Sequence, residues 1–466
     1  MRLLPLLLLL LACPVKTGPQ GNGGGKERTQ RPNTRISNSW APRATNVLVL
    51  LLDDVGTNAV KLYGEFPDAA RTPTITALAN DGVLFQNGYT YPTCSPARAA
   101  LLTGRYGRRT GVGDAIGVLS ADRLSHKEVT IPEMLERAPA KWSSAAVGKW
   151  HLAGHEASGW KRDARTQGFD SYSGAPGNLF TYGQGLQDAS YFKFEKLVGG
   201  KVTVEETYAT TDTVDDAIAA IQRMPEPWLT WVGFHGAHSP FHVPPDRLIR
   251  RKIDDDASRI DKFRGMVTAM DTEIGRLLDS MDPGVRDRTM VVVIGDNGTD
   301  GKVVPPPLHG KQAKFTLYEG GTHVPFIVSG AGVSARGGES RALVHVVDLF
   351  PTVAAIAKVE PKVKLDGYSL RPLLANPKAA WRRDVLYTER FLPNGMGPWT
   401  EQHVAVRDRR YKWMEVREKG RATQTYLFDL KGRIDDGKNL LDGPLDEEAK
   451  AARAKLKKAL AGYEKI

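Results

Sequence analysis

The chain has 466 residues, of which 41% are hydrophobic and 25% are charged, and it contains two cysteines. This globular composition allows a large core and a second subdomain, and the cysteines are too few for a disulfide framework. The formal charge of +11 indicates affinity for anions. Nucleic acid is not supported, because we find no zinc-ligand spacing and no RNP-type signature. An anionic small molecule or polysaccharide fits the charge, and so does a solvated basic surface.

The N-terminus carries the features of an export signal. In residues 1–12, Arg2 precedes a leucine-rich core that is too short to span a bilayer. The core ends in L-L-A-C, which resembles a bacterial lipobox with Cys13 as the lipidated residue. A plain secretory signal cleaved near Cys13 is the alternative. Residues 13–43 predict a flexible tether, so we expect an exported protein in the periplasm or cell envelope, with a possible lipid anchor.

Two buried strands are predicted to end in oxygen ligands. The apolar run 46–52 ends in Asp53 and Asp54, and the run 289–295 ends in Asp296 and Asn297. In α/β folds, ligands bind at such strand ends. Adjacent carboxylates repel unless a cation lies between them, and hard oxygen donors favour calcium or magnesium. For each motif alone, a helix N-cap pair and a turn are the alternatives.

Cys94 lies between an extended run, 83–91, and strong helix-forming sequence. We expect Ser95 to be the N-cap and Pro96 the first helical residue. Cys94 would then lie at a helix N-terminus, where free N–H groups attract anions, and Arg98 could reach the same end. The alternatives are a buried structural cysteine and a thiolate activated by the helix.

Two further stretches place histidines after apolar runs. The run 144–152 predicts a strand in which Lys149 and His151 point to the same face. A strand over 228–234 leads into three histidines, at positions 235, 238 and 242. Three histidines suggest zinc, but no cysteine joins them. A cation beside an imidazole suits an anionic reacting group.

These motifs resemble the type I sulfatases, the formylglycine-dependent, arylsulfatase-like family of the alkaline phosphatase superfamily. C-S-P-A-R at 94–98 matches its Cys-x-Pro-x-Arg pattern, and T-G-R at 103–105 matches the continuation. G-K-W-H-L at 148–152 is a family motif, and residues 314–325 resemble its second long signature. The resemblance covers about residues 45–463. His309 and His323 stand where the family usually has arginine, so their roles are open.

The resemblance implies a sulfuric ester hydrolase that cleaves sulfate monoesters. In the family, the cysteine is converted by a formylglycine-generating enzyme to formylglycine, whose hydrate is the nucleophile. The expected cofactors are therefore formylglycine derived from Cys94 and a calcium ion, with magnesium as second choice. The resemblance places this ion on Asp53, Asp54, Asp296, Asn297 and the modified Cys94.

The resemblance also implies roles for five further side chains. Arg98 would help to hold the nucleophile in its reactive form. Lys149 and Lys314 would bind and neutralise sulfate oxygens. The family pattern has one histidine before x-Pro, which selects His238 as the substrate-binding acid that protonates the leaving alcohol. His151 would take the proton whose loss releases sulfate.

The implied fold is an α/β fold with a large mixed, mostly parallel sheet flanked by helices, as in alkaline phosphatase. Residues 44–376 would form the catalytic domain, with an irregular insertion over 155–210 that shapes substrate preference. Residues 377–466 would form a smaller C-terminal α+β subdomain. Its expected elements are strands over 384–390, 403–416 and 425–429 and a helix over 449–463.

Two other functions are compatible with the same motifs. The fold and metal face also serve phosphodiester and phosphonate ester hydrolysis. A non-catalytic binder of sulfated glycans is the second alternative. The expected substrate is a sulfated small molecule or carbohydrate, and turnover of an aryl sulfate would separate the three functions.

Overall fold

A computed structural model describes residues 46–179 and 189–465 of the chain. The predicted signal, tether and lipidated Cys13 lie outside these residues and stay predictions. Within the described part, no helix is both long enough and apolar enough to cross a bilayer.

The main sheet contains ten strands among the described residues. In chain order they are β1 (Asn46–Leu52), β2 (Gly82–Tyr89), β3 (Ser143–Gly148), β4 (Ser171–Gly174), β5 (Phe194–Val198), β6 (Lys201–Glu205), β7 (Trp228–Gly233), β8 (Thr289–Gly295), β9 (Phe326–Gly330) and β10 (Gly338–His345).

The spatial order of these strands is β10-β2-β9-β8-β1-β7-β3-β4-β5-β6. The central strands β8, β1, β7, β3 and β4 are parallel, as are β2 and β10, and the other pairs are antiparallel. The predicted large mixed, mostly parallel sheet is therefore confirmed.

Helices cover the sheet and also connect its strands. They are α1 (Pro73–Asn80), α2 (Cys94–Thr103), α3 (Gly107–Thr110), α4 (Ile131–Leu135), α5 (Asp163–Thr166), α6 (Ala209–Arg223), α7 (Arg259–Asp279), α8 (Pro283–Asp287), α9 (Glu319–Thr322), α10 (Leu349–Ala357), α11 (Arg371–Ala375) and α12 (Glu447–Tyr463).

Strand β1 shows why the sheet lies between two helical layers. Its alternate side chains point to opposite faces. Val47, Val49 and Leu51 belong to one buried cluster, which includes residues of α2, α10 and α12. Leu48, Leu50 and Leu52 belong to a second cluster with residues of α1, α6 and α7. Each fully buried aliphatic side chain contributes about 1.5–3 kcal/mol, so the continuous apolar run commits β1 to the centre of the fold.

A second, antiparallel sheet follows in the C-terminal part. Its strands are β11 (Leu386–Leu392), β12 (Glu401–Arg407), β13 (Tyr411–Glu418) and β14 (Gln424–Asp429), in that order. The single strand predicted over 403–416 is wrong, because residues 408–410 form the turn between β12 and β13. The smaller C-terminal α+β unit is confirmed, whereas its boundary at residue 376 stays a prediction.

The segment 155–210 is more regular than predicted. It contains α5 and the strands β4, β5 and β6, which extend the main sheet at one edge. These strands are four or five residues long, too short for a clear periodic pattern. Pairing with the edge of the parallel sheet, rather than local sequence, makes them strands.

A buried ion network joins α9 to the C-terminal sheet. The Glu319 carboxylate accepts a hydrogen bond from the Tyr89 hydroxyl at 2.6 Å and lies 2.9 Å from Arg407 and 3.2 Å from Lys412. Asp436 lies 2.8 Å from Lys412 and accepts the backbone N–H of Glu319 at 2.6 Å. Burial by itself raises the pKa of Glu319, but Arg407 and Lys412 lower it below its ordinary value of 4.5.

We expect Glu319→Gln to lower the free energy of unfolding by about 3–5 kcal/mol at neutral pH, because it leaves two buried cations undercompensated. A carboxylate whose pKa is lower in the folded than in the unfolded chain stabilises the fold at pH values above its pKa in the unfolded chain. That stabilisation is lost progressively as the pH falls from 4.5 towards the lower pKa of the folded protein. The difference between wild type and variant should therefore shrink in acid.

Urea unfolding followed from neutral to acid pH would measure this difference. Glu339→Gln is the matched control, since Glu339 is exposed and its change should stay within about 0.5 kcal/mol. A Glu319→Gln deficit that is independent of pH would contradict the assignment of the ionised carboxylate to this network.

Candidate active site

The predicted oxygen ligands meet at the carboxyl edge of the main sheet. Asp53 and Asp54 follow β1, and Asp296 and Asn297 follow β8. The two strands are parallel and paired along their whole length, so both residue pairs leave the sheet side by side. The backbone N–H of Asp296 still donates to the Leu52 carbonyl at 2.9 Å, which holds the two chain segments together beyond the strand ends.

Cys94 is the first residue of α2, and Thr93 is its N-cap. The predicted Ser95 N-cap is wrong, because the helix begins two residues earlier and Pro96 becomes its third residue. Thr93 has extended backbone (φ −144°), as an N-cap requires, but makes no capping hydrogen bond with its side chain. Ser95 Oγ instead accepts the backbone N–H of Ile116 at 2.9 Å. Cys94 keeps its place in the first turn, where the helix dipole favours negative charge.

Four side chains form a buried cluster with metal-ligand spacing. One potential ligand atom each from Asp53, Asp54, Cys94 and Asp296 lies within 4.8 Å of the others. Asn297 Nδ2 donates to Asp54 Oδ1 at 2.8 Å. Among the described residues, Asp54 Oδ2 and Asn297 Oδ1 have no hydrogen-bond partner, although both are buried. Buried oxygens without partners are costly, so this donor set fits a hard divalent cation.

Arg98 connects three elements of the site through three hydrogen bonds. Its Nε and Nη2 donate to Asp296 Oδ2 at 3.0 and 2.8 Å. Its Nη1 donates to the Lys149 carbonyl at 2.6 Å. The Arg98 side chain is fully buried. The fixed fork of the guanidinium therefore ties α2 to the ends of β8 and β3 at once.

Two lysines complete the charge pattern of the site. The Lys149 ammonium contacts the Asp53 carboxylate and lies 3.6 Å from Cys94 Sγ. Lys314 Nζ lies 2.6 Å from Asp54 Oδ1. Both side chains are buried. With Arg98, the site therefore contains three cations facing three carboxylates.

His151 lies beyond the end of β3. Because β3 ends at Gly148, the prediction that Lys149 and His151 share a strand face is wrong; the chain turns, with φ 77° at Gly148 and 60° at His151. His151 Nε2 donates to the Ile116 carbonyl at 3.1 Å. Its buried Nδ1 has no hydrogen-bond partner among the residues that the structure describes. A carbonyl can only accept, so Nε2 carries the proton and Nδ1 is the basic nitrogen.

His238 follows β7, and its imidazole lies near Asp54. Its Nδ1 donates to the Ser239 carbonyl at 2.7 Å, and its Nε2 lies 3.9 Å from Asp54 Oδ2. The hydroxyl of Tyr191 lies 2.5 and 2.7 Å from the carbonyl oxygens of His235 and His238, which fixes this loop. Tyr191 was missed by the sequence analysis, because nothing in the local pattern of 155–210 marks it.

Burial and the neighbouring charges shift the pKa values of Asp53 and Asp296 in opposite directions. Burial alone would raise the pKa of Asp53, but Lys149 and the other cations hold it well below its usual range. Burial and the negative charge of Asp53 raise the pKa of Asp296 to about 6, against the effect of Arg98. Asp53, which contacts Lys149, is therefore the more firmly ionised of these two carboxylates.

The unmodified thiol is a poor nucleophile in this position. Burial, with Asp53 and Asp296 acting in the same direction, raises the pKa of Cys94 to about 12, although Lys149 and Lys314 oppose it. The thiol therefore stays protonated at neutral pH, which does not support the alternative of a thiolate activated by the helix end.

The remaining histidines lie apart from this cluster or contact other groups. His323 stacks on Tyr89 with ring centroids 4.9 Å apart, and its Nε2 donates to the Gln86 carbonyl at 2.9 Å. These contacts give it a structural role. His242 Nε2 lies 3.0 Å from the Tyr208 hydroxyl, and His309 lines a surface cavity beside the C-terminal sheet.

The structure thus brings every predicted site residue to one edge of the sheet. Two family models match the chain. Residues 45–359 match the family model described as Sulfatase, and residues 308–465 match N-sulphoglucosamine sulphohydrolase, C-terminal.

Curated relatives include sulfatases from bacteria and mammals. The uncharacterized sulfatase YdeN of Escherichia coli K12 is 27% identical over 419 residues, covering 78% of this chain and 72% of that protein. N-acetylgalactosamine-6-sulfatase of Homo sapiens is 30% identical over 366 residues, covering 72% and 67%. Arylsulfatase G of Mus musculus is 27% identical over 387 residues, covering 73% and 70%.

Solved structures share the fold. Ps i-CgsB in complex with k-i-k-neocarrahexaose superposes with a TM-score of 0.72 at 24% identity, covering 91% of this chain and 92% of that one. BT4656 in complex with its substrate D-glucosamine-2-N,6-O-disulfate gives a TM-score of 0.70 at 20% identity, covering 91% and 98%. The family model matches most of the chain, and the motifs described above agree with it. The chain therefore belongs to the sulfatase family and is a sulfate ester hydrolase.

Proposed function

We propose that this chain hydrolyses sulfate monoesters of carbohydrates with a formylglycine made from Cys94 and a bound divalent cation, calcium first and magnesium second. The observation that carries the proposal is the buried cluster of Cys94, three carboxylates and three cations at one edge of the sheet. A sulfate monoester is anionic at neutral pH, so its oxygens need fixed positive charge.

The residues of the site fit both a divalent cation and a formylglycine at position 94. Asp53, Asp54, Asp296 and Asn297 would hold the cation, since two of their buried oxygens have no hydrogen-bond partner among the described residues. When bound, the cation would withdraw charge from sulfate oxygens, and the hydrated aldehyde of formylglycine would supply the nucleophilic oxygen. The conversion of Cys94 implies a formylglycine-generating enzyme as a partner during maturation.

The two lysines bind the sulfate group in this proposal. Lys149 Nζ lies 3.6 Å from Cys94 Sγ, so it faces the reacting position directly. Lys314 Nζ lies 2.6 Å from Asp54 Oδ1. Arg98 does not need to touch substrate, because its hydrogen bonds to Asp296 and the Lys149 carbonyl already orient both. Fixed cations at these positions stabilise charge that develops on the sulfate oxygens.

The two histidines divide the proton transfers. Burial, then Lys149, lower the pKa of His151, which keeps its imidazole neutral and Nδ1 able to accept a proton. Burial and Lys314 also lower the pKa of His238. A bound sulfate ester brings negative charge next to His238, which favours its protonated form. His238 then donates this proton to the leaving alcohol, and His151 accepts the proton released with sulfate.

The carbohydrate substrate class is supported by the relatives. The human relative at 30% identity is an N-acetylgalactosamine-6-sulfatase, and two structures with this fold contain carbohydrate ligands. The formal charge of +11 is compatible with an anionic polysaccharide or its fragments.

We expect active protein to carry formylglycine at position 94 and to hydrolyse 4-nitrophenyl sulfate. Mass spectrometry of the peptide that contains residue 94 should show an aldehyde in place of the thiol. Cys94→Ala should lower turnover by about 10⁴-fold or more, because it removes the nucleophile. Full activity from protein with an unmodified thiol would overturn the proposal. Faster hydrolysis of bis-4-nitrophenyl phosphate than of the sulfate ester would favour the phosphodiesterase alternative.

We expect calcium to stabilise the fold, because it would bind the buried carboxylate oxygens that only the folded chain brings together. At a calcium concentration a hundredfold above Kd, the gain should be about 2.7 kcal/mol, measured as an increase in Tm. Asp54→Asn should remove most of this increase. The matched control is Asp81→Asn, an exposed carboxylate that pairs with Arg336. An equal calcium response in both variants would place the ion elsewhere.

We expect His238→Ala to slow hydrolysis of sugar sulfates much more than hydrolysis of 4-nitrophenyl sulfate. Loss of a general acid slows the reaction most when the leaving alcohol is itself a weak acid. A general acid typically accelerates such a reaction by about 10²–10⁴-fold. His242→Ala is the matched control and should affect both esters equally. Equal losses for His238→Ala on both esters would mean that another group protonates the alcohol.

A further inference from the structure

We propose that Phe315 is a substrate-binding residue, a platform on which the sugar ring of the sulfate ester packs its apolar face. This inference rests on the proposed function, whose substrate class it makes more specific. No requirement of the sulfate chemistry itself calls for an aromatic ring at this position.

The backbone of Phe315 is strained. The Ala313 carbonyl accepts the backbone N–H of Thr316 at 3.1 Å, so Lys314 and Phe315 are the two central residues of a β-turn. The φ of Phe315 is 75°. Positive φ at the second central residue is the type II arrangement, which strongly favours glycine or asparagine. A bulky aromatic residue there is a true outlier, and such strain is typical of functional sites.

The turn is held firmly despite this strain. The backbone N–H of Phe315 donates to the Pro92 carbonyl at 2.8 Å, two residues before Cys94. The backbone N–H of Lys314 donates to the Thr299 carbonyl at 3.1 Å. These bonds tie the turn to both the nucleophile segment and the loop after β8. Backbone hydrogen bonds therefore hold the turn that carries the ring.

The ring itself is not used by the core. Phe315 is 49% exposed, while its neighbours Lys314 and Leu317 are buried. Its centroid lies 5.2 Å from Lys314 Nζ, the ammonium that the proposed function assigns to the sulfate group. An ester bound through its sulfate at Lys314 would therefore carry its alcohol portion close to this ring. A flat apolar surface at that distance suits the C–H face of a pyranose, and such packing removes apolar area from water.

The test compares Phe315→Gly with wild type and with Phe315→Tyr. Glycine suits the positive φ, so the fold should lose no stability and Tm should stay the same or rise. KM for N-acetylgalactosamine 6-sulfate should rise about tenfold with kcat nearly unchanged, because an interaction equal in ground and transition states is lost. Phe315→Tyr, which keeps the ring, should retain the wild-type KM.

Inorganic sulfate provides the matched probe, since it binds the same cations and carries no ring. Its competitive inhibition constant should be the same in wild type and Phe315→Gly. A parallel loss of sulfate and sugar-ester affinity, a fall in Tm, or an unchanged KM in Phe315→Gly would each overturn the platform. If wild type hydrolyses no sulfate ester, the proposed function has failed. The affinity of the same sugar sulfate for wild type and for Phe315→Gly, measured by calorimetry, then tests the platform separately. Weaker binding to Phe315→Gly would support the platform, and equal binding would overturn it.

Discussion

The architecture of this site depends on charge compensation at the ends of two buried parallel strands. Asp53, Asp54 and Asp296 are fully buried at the same edge of the sheet, where like charges would repel and burial would neutralise them. Three buried cations, from α2 and from two loops, make these carboxylates tolerable. Removing one partner of such a set leaves an uncompensated buried charge, so the elements that supply the cations are held together by the site itself.

The same constraint arranges the catalytic groups. Each of the three cations brings its neighbours in the chain to the ends of β1 and β8. Arg98 brings the first turn of α2, and with it Cys94, over the strand ends. Lys149 brings the chain beyond β3, and with it His151. Charge pairing at the strand ends thus adds to core packing and strand pairing in bringing Cys94, His151 and the two lysines to one place.

Backbone strain concentrates at the same place. Asp54, His151 and Phe315 are three of the four non-glycine residues with positive φ among the described residues. Each of them lies next to, or belongs to, the group of side chains that surrounds Cys94. Conformations of this kind cost free energy and persist only where the surrounding structure determines them. Here strand ends, ion pairs and backbone hydrogen bonds from neighbouring segments hold these three residues in their strained conformations. The strained residues therefore lie around the site.

By itself, the sequence determined the central strands, the polar residue pairs at their ends and the family. A strand buried on both faces must be continuously apolar, so runs such as 46–52 and 289–295 show their bounds locally. Only the tertiary structure decided where α2 begins, why β3 stops before Lys149, and that 155–210 adds three strands. It alone placed Tyr191 against the loop of His238, 47 residues away. Such contacts depend on partners distant in the chain, and a partner of that kind leaves no periodic trace in the local sequence.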